Sequence, residues 1–312
     1  MIEINNLVKH YGDKKAVNGI SFTVEDDEVL GFLGPNGAGK STTMNIITGY
    51  LSSTSGTVKV NGHDILEEPE LAKKDIGYLP ELPPLYLDMT VLEYLNYICD
   101  IKQVKRSERK EQLAKIIAMV KITDVADRLI GNLSKGYKQR VGIAQALVGN
   151  PSILILDEPT VGLDPNQIIE IRKLIRTLAK DHSVIISSHI LSEIQEVCDR
   201  VVIINKGKVA AIDTITDLSK RLAGSSKLLL SFKGDAKKIM NEIRSLPGVS
   251  DCKIRISDKD IHEAEITVTG NSASDIRTSI FYVMSRNSSP IMEFRSLDPT
   301  LEEIFLSITA GT

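Results

Sequence analysis

The feature that most constrains the fold is a glycine-rich segment at residues 34–41, which fits the pattern G-x-x-x-x-G-K-[ST] at every fixed position. Apolar residues before it predict a strand, and residues 41–48 predict a helix that ends at Gly49. Glycines let such a turn curl so that its amide N–H groups point inward, and the helix turns its positive end to the same place. We therefore expect the turn to bind phosphate groups. Its residues, with the helical residue that follows, are Gly34, Pro35, Asn36, Gly37, Ala38, Gly39, Lys40, Ser41 and Thr42.

A second element of the same site is expected at the end of a later strand. Residues 153–156 are purely apolar, as a strand buried on both faces of a parallel sheet must be, and Asp157 and Glu158 follow directly. We expect Lys40 to reach the outer phosphates and the Ser41 hydroxyl to ligate Mg²⁺. Asp157 is the candidate carboxylate for the same ion, and Glu158 could accept a proton from attacking water. The alternative is that the two acids only cap a strand.

The composition is that of an ordinary globular chain of 312 residues, with 42% hydrophobic and 25% charged residues. The net charge of −3 gives no basic field, so we expect no nucleic-acid partner. The longest apolar runs are strand-sized, which predicts no membrane span. The N-terminus shows no secretory signal, and Cys99, Cys198 and Cys252 have no disulfide or metal spacing. These features are typical of a reducing cytosol.

The length favours two domains, which we place at residues 1–224 and 225–312. Within the first, residues 90–149 read as almost wholly helical. The linker is expected at residues 224–226. The order that follows is strand, helix, strand, strand, helix, strand, which predicts a ferredoxin-like α+β domain. An amphipathic helix at residues 301–308 is expected to close the chain.

Across residues 1–220 the sequence resembles the ATP-binding cassette (ABC) ATPases. The resemblance implies an α/β fold with a mixed, mainly parallel sheet, an antiparallel β subdomain and a helical subdomain. It also implies ATP and Mg²⁺ as cofactors. Beyond the glycine-rich turn and the Asp-Glu pair, the matching residues are Tyr11 as the adenine-stacking aromatic, Ser134 and Gly136 of a signature-like segment, Asp164 of a D-loop and the switch histidine His189.

The same resemblance implies a role for each of these residues. Glu158, His189 and Lys40 are expected to be catalytic. Ser134 and Gly136 are expected to contact the ATP held by a second cassette in a head-to-tail dimer, with Asp164 sensing the opposite site. This sequence departs from the family pattern at Glu81, where a glutamine commonly ligates Mg²⁺. We expect Glu81 to be a metal ligand, or else a surface residue.

The resemblance extends to ATPases of ABC-2-type exporters, which implies two partners and a location in the cell. The first is a separate polytopic transmembrane permease, and residues 82–88, proline-rich and apolar, are the expected docking segment. The second is another nucleotide-binding subunit, either a second copy or a homologue. The third is the cytoplasmic face of the cell membrane. The alternatives are a soluble ABC ATPase that acts on nucleic acid or ribosomes and a nucleotide-binding regulator without turnover.

Overall fold

The apolar runs of the sequence form the strands of a parallel sheet whose residues are buried on both faces. The computed structural model describes residues 1–188, 190–215, 217–218, 225–257, 261–269, 273–297 and 305. Met1–Ile215 form one compact unit, and the described residues from 217 onward belong to a second. The strands of the first unit are β1 Ile2–Tyr11, β2 Lys14–Val24, β3 Val29–Leu33, β4 Ser55–Val60, β5 His63–Asp64, β6 Ile76–Leu79, β7 Ile153–Asp157, β8 Ser183–Ser188, β9 Arg200–Asn205 and β10 Lys208–Thr214.

These strands form two sheets. The central sheet has six strands in the order β10-β9-β3-β8-β7-β6, parallel except for β10. All residues of β3, β7 and β8 are buried, as predicted for residues 153–156. The second sheet is antiparallel, in the order β2-β1-β4-β5. It alternates buried and exposed side chains, so only one of its faces packs on the core.

The two sheets of the first unit share one hydrophobic core. Phe22 of β2 packs against Phe32 of β3 with ring centroids 5.4 Å apart. Apolar residues from both sheets, including Ile4, Val58 and Ile155, belong to the same buried cluster. This packing fixes the antiparallel sheet beside the end of β3, where the glycine-rich turn begins.

The helices of the first unit lie between these strands in sequence. They are α1 Lys40–Ile47, α2 Pro69–Lys74, α3 Val91–Ile101, α4 Arg106–Met119, α5 Lys135–Leu147, α6 Pro165–Leu178 and α7 Leu191–Val197. Two short 3-10 helices, Thr123–Val125 and Ile130–Asn132, lie within residues 90–149, the region that the sequence predicts as almost wholly helical. Helix α3 begins at a capping box in which Thr90 and Glu93 satisfy each other's backbone N–H groups.

The second unit has the strand and helix order that the sequence predicts. Its elements are β11 Ser225–Phe232, α8 Ala236–Arg244, β12 Val249–Ser257, β13 His262–Thr269, α9 Ala273–Arg286 and β14 Ile291–Ser296. The strands pair antiparallel in the order β12-β13-β11-β14, the arrangement of the split β-α-β unit. One face carries the core, which includes Leu230, Ile239, Ile266 and Ile280.

Two expectations of the sequence concern residues that the structure does not describe. The domain boundary at residue 224, where the expected linker starts, follows residues 219–223, and all of these lie outside the described residues. The final helix at residues 301–308 also lies outside them, apart from Phe305. The boundary and the helix stay predictions, whereas the linker expected at residues 224–226 is wrong in part, because residues 225 and 226 pair with β13 as the first residues of β11.

Strand β6 carries a glycine that its surroundings require. A Cβ on Gly77 would lie 2.2 Å from the carbonyl oxygen of Ala146 and 2.7 Å from Cδ2 of Leu154. Because the first of these is a backbone atom of α5, it cannot move aside cheaply. We expect Gly77→Ala to lower the free energy of unfolding by about 1–3 kcal/mol, measured by urea denaturation.

The matched control is Lys59→Ala at an exposed position of β4. It should change the free energy of unfolding by no more than about 0.5 kcal/mol. A Gly77→Ala variant with the parental unfolding midpoint would contradict the close packing of β6 on α5.

Candidate functional site

The glycine-rich turn is held by close contacts that leave no room for side chains at its two fixed glycines. A Cβ on Gly34 would lie 2.7 Å from the carbonyl oxygen of Ile204, and one on Gly39 would lie 2.5 Å from that of Ala16. Gly39 also has a φ of 109°, which favours glycine, and no side chain caps α1. The N–H groups at the start of α1 are therefore available to an anion.

Two backbone hydrogen bonds fix the middle of the turn. The Ala38 N–H donates to the carbonyl oxygen of Pro35 at 3.1 Å, and the Gly207 N–H donates to that of Ala38 at 3.0 Å. Gly207 lies between β9 and β10, so the hairpin of these two strands holds the turn in place through this hydrogen bond. Gly34 and Ala38 are buried, and their role is to shape the turn.

Lys40 is folded back over the turn to which it belongs. Its side chain is only 8% exposed, and Nζ donates to the carbonyl oxygen of Gly34 at 2.7 Å. The ammonium charge therefore lies at the centre of the loop. With the N-terminus of α1, it provides a positive, preorganised cradle of the kind that phosphate oxygens occupy.

The turn opens into a cleft of about 600 Å³. Nine of the predicted site residues line it, from the turn and from three other segments, and Lys14, Ala16 and Val161 complete the wall. The predicted residues that the cleft brings together are Tyr11, Asn36, Gly37, Gly39, Lys40, Ser41, Thr42, Glu81 and Glu158.

The lining residues that the motifs do not predict reach the cleft through strand pairing. Tyr11 and Lys14 are opposite each other where β1 and β2 meet, and Ala16 follows on β2. The Gly12-Asp13 turn is the sequence signal that would have placed Lys14 opposite Tyr11. Val161 follows Glu158 in the loop after β7, and nothing in its residue type indicates a site.

The two strand-end acids differ in their surroundings. Asp157, the last residue of β7, is 4% exposed and accepts a hydrogen bond from the Ser187 hydroxyl. Glu158 has a φ of 48° and is 8% exposed, and its N–H donates to the Ser187 hydroxyl at 3.0 Å. A left-handed backbone at a non-glycine residue persists only where the surrounding structure holds it. Ser187 therefore fixes both acids at the end of the parallel sheet.

Electrostatics link Asp157 to residues of the cleft. Burial raises the pKa of Asp157, and the Glu81 carboxylate adds to this, whereas the Ser187 hydrogen bond and the Lys40 charge lower it. Burial, with Asp157 and Glu81, also raises the pKa of Tyr78 to about 12. Asp157 and Glu81 thus act on one another, and a cation between them would relieve their repulsion.

The donor set suits Mg²⁺ only when phosphate oxygens complete it. Among the described residues, no group of three or more His, Cys, Asp and Glu side chains could hold a metal. Mg²⁺ is bound in proteins by one or two carboxylates together with substrate phosphates. Asp157, with the Ser41 hydroxyl and Glu81 in the same region, fits this pattern.

Three further predicted residues, Ser134, Gly136 and Asp164, do not line this cleft. Ser134 is the N-cap of α5 and accepts from the N–H of Tyr137 at 3.4 Å, and Asp164 caps α6 by accepting from the N–H of Gln167 at 3.0 Å. Gly136 packs so closely on Gln167 that a Cβ would lie 2.7 Å from that side chain. His189 lies outside the described residues.

Tyr11 stands at the rim of the cleft with half of its surface exposed. The ammonium group of Lys9 lies 5.5 Å from the centre of its ring. An exposed aromatic ring beside a phosphate cradle is suited to stacking on a flat heterocycle.

Membrane-spanning helices need a long apolar stretch, and no helix among the described residues has one.

The ABC transporter family model matches residues 17–161. The linearmycin resistance ATP-binding protein LnrL of Bacillus subtilis (strain 168) is 35% identical over 317 residues, which cover 100% of this chain and 99% of that protein. The bacitracin transport ATP-binding protein BcrA of Bacillus licheniformis is 32% identical over 314 residues, with coverage of 100% and 98%.

The fold gives the same result. The dimeric structure of the bacterial ABC transporter cassette MJ0796 superimposes with a TM-score of 0.63 at 26% identity, covering 69% of this chain and 99% of that one. The predicted cassette fold and the predicted ATPase activity are confirmed by these relatives. The chain therefore belongs to the ABC transporter family, as an ATP-binding and ATP-hydrolysing protein.

Proposed function

We propose that this ATPase powers an exporter: it pairs with a second cassette and drives a separate transmembrane permease at the cytoplasmic face of the membrane. The observation that carries the proposal is the single cleft in which the phosphate-binding turn, Lys40 and Glu158 meet. The names of the two relatives, one for resistance to linearmycin and one for transport of bacitracin, support export as the direction.

The predicted residues in and beside the cleft have separate tasks in this proposal. Tyr11 stacks on adenine, and the turn with Lys40 holds the phosphates. Ser41, Asp157 and Glu81 would hold Mg²⁺, which would supply positive charge to neutralise the phosphate oxygens. Glu158 accepts the proton of the attacking water.

Two features of the fold favour Glu158 as the base. Its backbone N–H is held by Ser187, so the loop that carries the carboxylate is already ordered before ATP binds. It also lines the same cleft as Lys40, which places a base and a phosphate-binding cation on one cavity wall. His189 follows β8 directly in the sequence, and in the proposal it contacts the outer phosphate.

The second cassette supplies the other half of each site in this proposal. Ser134 and Gly136 begin α5, whose free N–H groups attract an anion, yet they do not line this chain's cleft. They therefore need a phosphate from elsewhere, and a partner's ATP provides one. Asp164 also begins a helix outside the cleft and would face the same junction.

The permease is proposed to dock on residues 82–88. Leu82, Tyr86 and Leu87 of this segment are 82%, 47% and 54% exposed. Three apolar side chains this exposed within six residues indicate a binding surface. The segment directly follows Glu81, so this residue connects the proposed docking surface to the nucleotide cleft.

The partner class can be tested by affinity purification of the full chain from detergent-solubilised membranes of its source cells. We expect a polytopic membrane protein to co-purify, and a Leu82→Asp/Leu87→Asp variant to lose it because charge is placed in the apolar surface. Recovery of ribosomes or DNA instead of a polytopic partner would contradict the exporter and support the soluble ABC ATPase.

Binding and turnover should separate at two residues of the cleft. Glu158→Gln keeps the size of the side chain but removes the base, so ATP hydrolysis should fall by about 10²–10⁴-fold while ATP still binds. Lys40→Ala removes a charge from the phosphate cradle and should weaken nucleotide binding itself. Steady-state hydrolysis and equilibrium ATP binding measure the two effects.

Glu67→Gln is the control for the charge change, because Glu67 is exposed and does not line the cleft. It should match the parent in both measurements. Near-parental hydrolysis by Glu158→Gln would show that Glu158 is not the base.

Sharing of the site predicts complementation between two inactive chains. Ser134→Arg blocks one half of the composite site and Lys40→Ala the other, so a mixed dimer contains one intact site. We expect the mixture to regain part of the ATPase activity that each chain lacks alone. Dimers of each single variant, measured at the same total concentration, are the control. If mixed dimers form and no activity returns at any ratio, the shared arrangement is wrong.

A further inference from the structure

A buried glutamate on α7 lies at the centre of a hydrogen-bond network behind the cleft. Glu193 is 6% exposed. Its Oε2 accepts from the hydroxyl of Thr160 at 2.6 Å and from the hydroxyl of Ser188 at 3.1 Å. Among the described residues, its other carboxylate oxygen has no hydrogen-bond partner. Among the described residues, the partners of this carboxylate are neutral hydroxyl groups, and burying a carboxylate with such partners costs stability, which indicates that Glu193 has a functional role.

The two hydroxyl donors come from two different segments of the site. Thr160 lies two residues after Glu158, in the loop that follows β7, and is 5% exposed. Ser188 is the last residue of β8 and precedes His189, and its hydroxyl also accepts from the N–H of Ile190 at 3.0 Å. One oxygen of Glu193 therefore connects the loop after β7, which carries Glu158, to the segment of the sequence that carries the candidate switch histidine.

The loop after β7 has three anchors, each on a different element. Its start is held by Ser187 of β8 through the Glu158 N–H, and its middle by Gln139 of α5, whose Nε2 donates to the carbonyl oxygen of Pro159 at 2.9 Å. The third anchor is the bond from Thr160 to Glu193 of α7. With a left-handed φ of 48° at Glu158, the loop needs these anchors to keep its shape.

We propose that Glu193 is a positioning residue for ATP hydrolysis: by holding Thr160 and Ser188 on one oxygen, it sets the place of the Glu158 carboxylate. The proposal rests on the role of Glu158 as the base. Glu193 does not line the cleft, so it acts through the loop and not on the nucleotide. Its removal should lower kcat and leave nucleotide binding unchanged, because the phosphate-binding turn is anchored by β2 and β9 instead.

The test uses the full chain and compares variants that keep or remove the two hydrogen bonds. Glu193→Ala removes the acceptor, and kcat for ATP should fall by about tenfold or more while the Kd for ADP stays within about twofold. Glu193→Gln keeps one oxygen that can accept both hydroxyl groups, so it should restore most of the turnover. Glu196→Gln is the control: it removes the same charge from the same helix, at an exposed carboxylate that pairs with Arg172.

Thr160 provides an independent pair of variants in case Glu193→Ala does not fold. Thr160→Val removes the hydroxyl at constant size and should lower kcat as Glu193→Ala does, whereas Thr160→Ser keeps the hydroxyl and should be near the parent. If the two groups act through one contact, the double variant Thr160→Val/Glu193→Ala should be no slower than Glu193→Ala alone.

Two results would overturn the proposal. The first is a folded Glu193→Ala or Thr160→Val protein with parental kcat, even if its melting temperature is lower, since a merely structural role predicts that result. The second is a double variant whose fall in kcat equals the product of the falls in the two single variants. Glu158→Gln is measured in parallel. If Glu158→Gln keeps full turnover, the assignment of Glu158 as the base is wrong. If Glu158→Gln loses turnover while Glu193→Ala stays fully active, only the role of Glu193 is refuted.

Discussion

The parallel register of three buried strands determines where the phosphate-binding turn and the strand-end acids lie. Leu33 at the end of β3 is opposite Ser188 of β8, and Ser187 is opposite Asp157 at the end of β7. The phosphate-binding turn and the strand-end acids therefore leave the sheet at the same edge. Because the strands are buried on both faces, close packing fixes these ends before any nucleotide binds, which is the condition for preorganised electrostatic catalysis.

Burial of the polar groups behind the cleft makes their hydrogen bonds obligatory. In a low-dielectric interior an unpaired polar group is expensive, and a paired one is held firmly. Ser187 meets this requirement for Asp157 and Glu158, and Glu193 meets it for Thr160 and Ser188. These bonds hold the loop after β7, which carries Glu158, in an arrangement that satisfies its buried polar groups. The cleft itself, lined by exposed residues such as Tyr11 and Ser41, remains open to solvent and ligand.

The sequence predicts those parts of the fold that depend on local patterns. The turn at residues 34–41 and the all-apolar strand before Asp157 each follow from a short run of residues. The split β-α-β order of the second unit follows from the local pattern of each of its elements. Lys14 and Ala16 are not predictable from motifs, because they reach the cleft only when β1 pairs with β2. Glu193 lies in a short helix with apolar neighbours, where a glutamate reads as part of a solvated face; only tertiary packing buries it.

The alternation of side chains along a strand explains how the end of β8 serves two sets of partners. Successive residues of a strand point to opposite faces, so Ser187 and Ser188 cannot share a partner. The Ser187 hydroxyl meets Asp157 and the Glu158 N–H, and the Ser188 hydroxyl meets Glu193 and the Ile190 N–H. A slip of one residue in the register of β8 would exchange these faces and break both sets of bonds. The buried strand β8 therefore also fixes the loop after β7 and the start of α7 relative to one another.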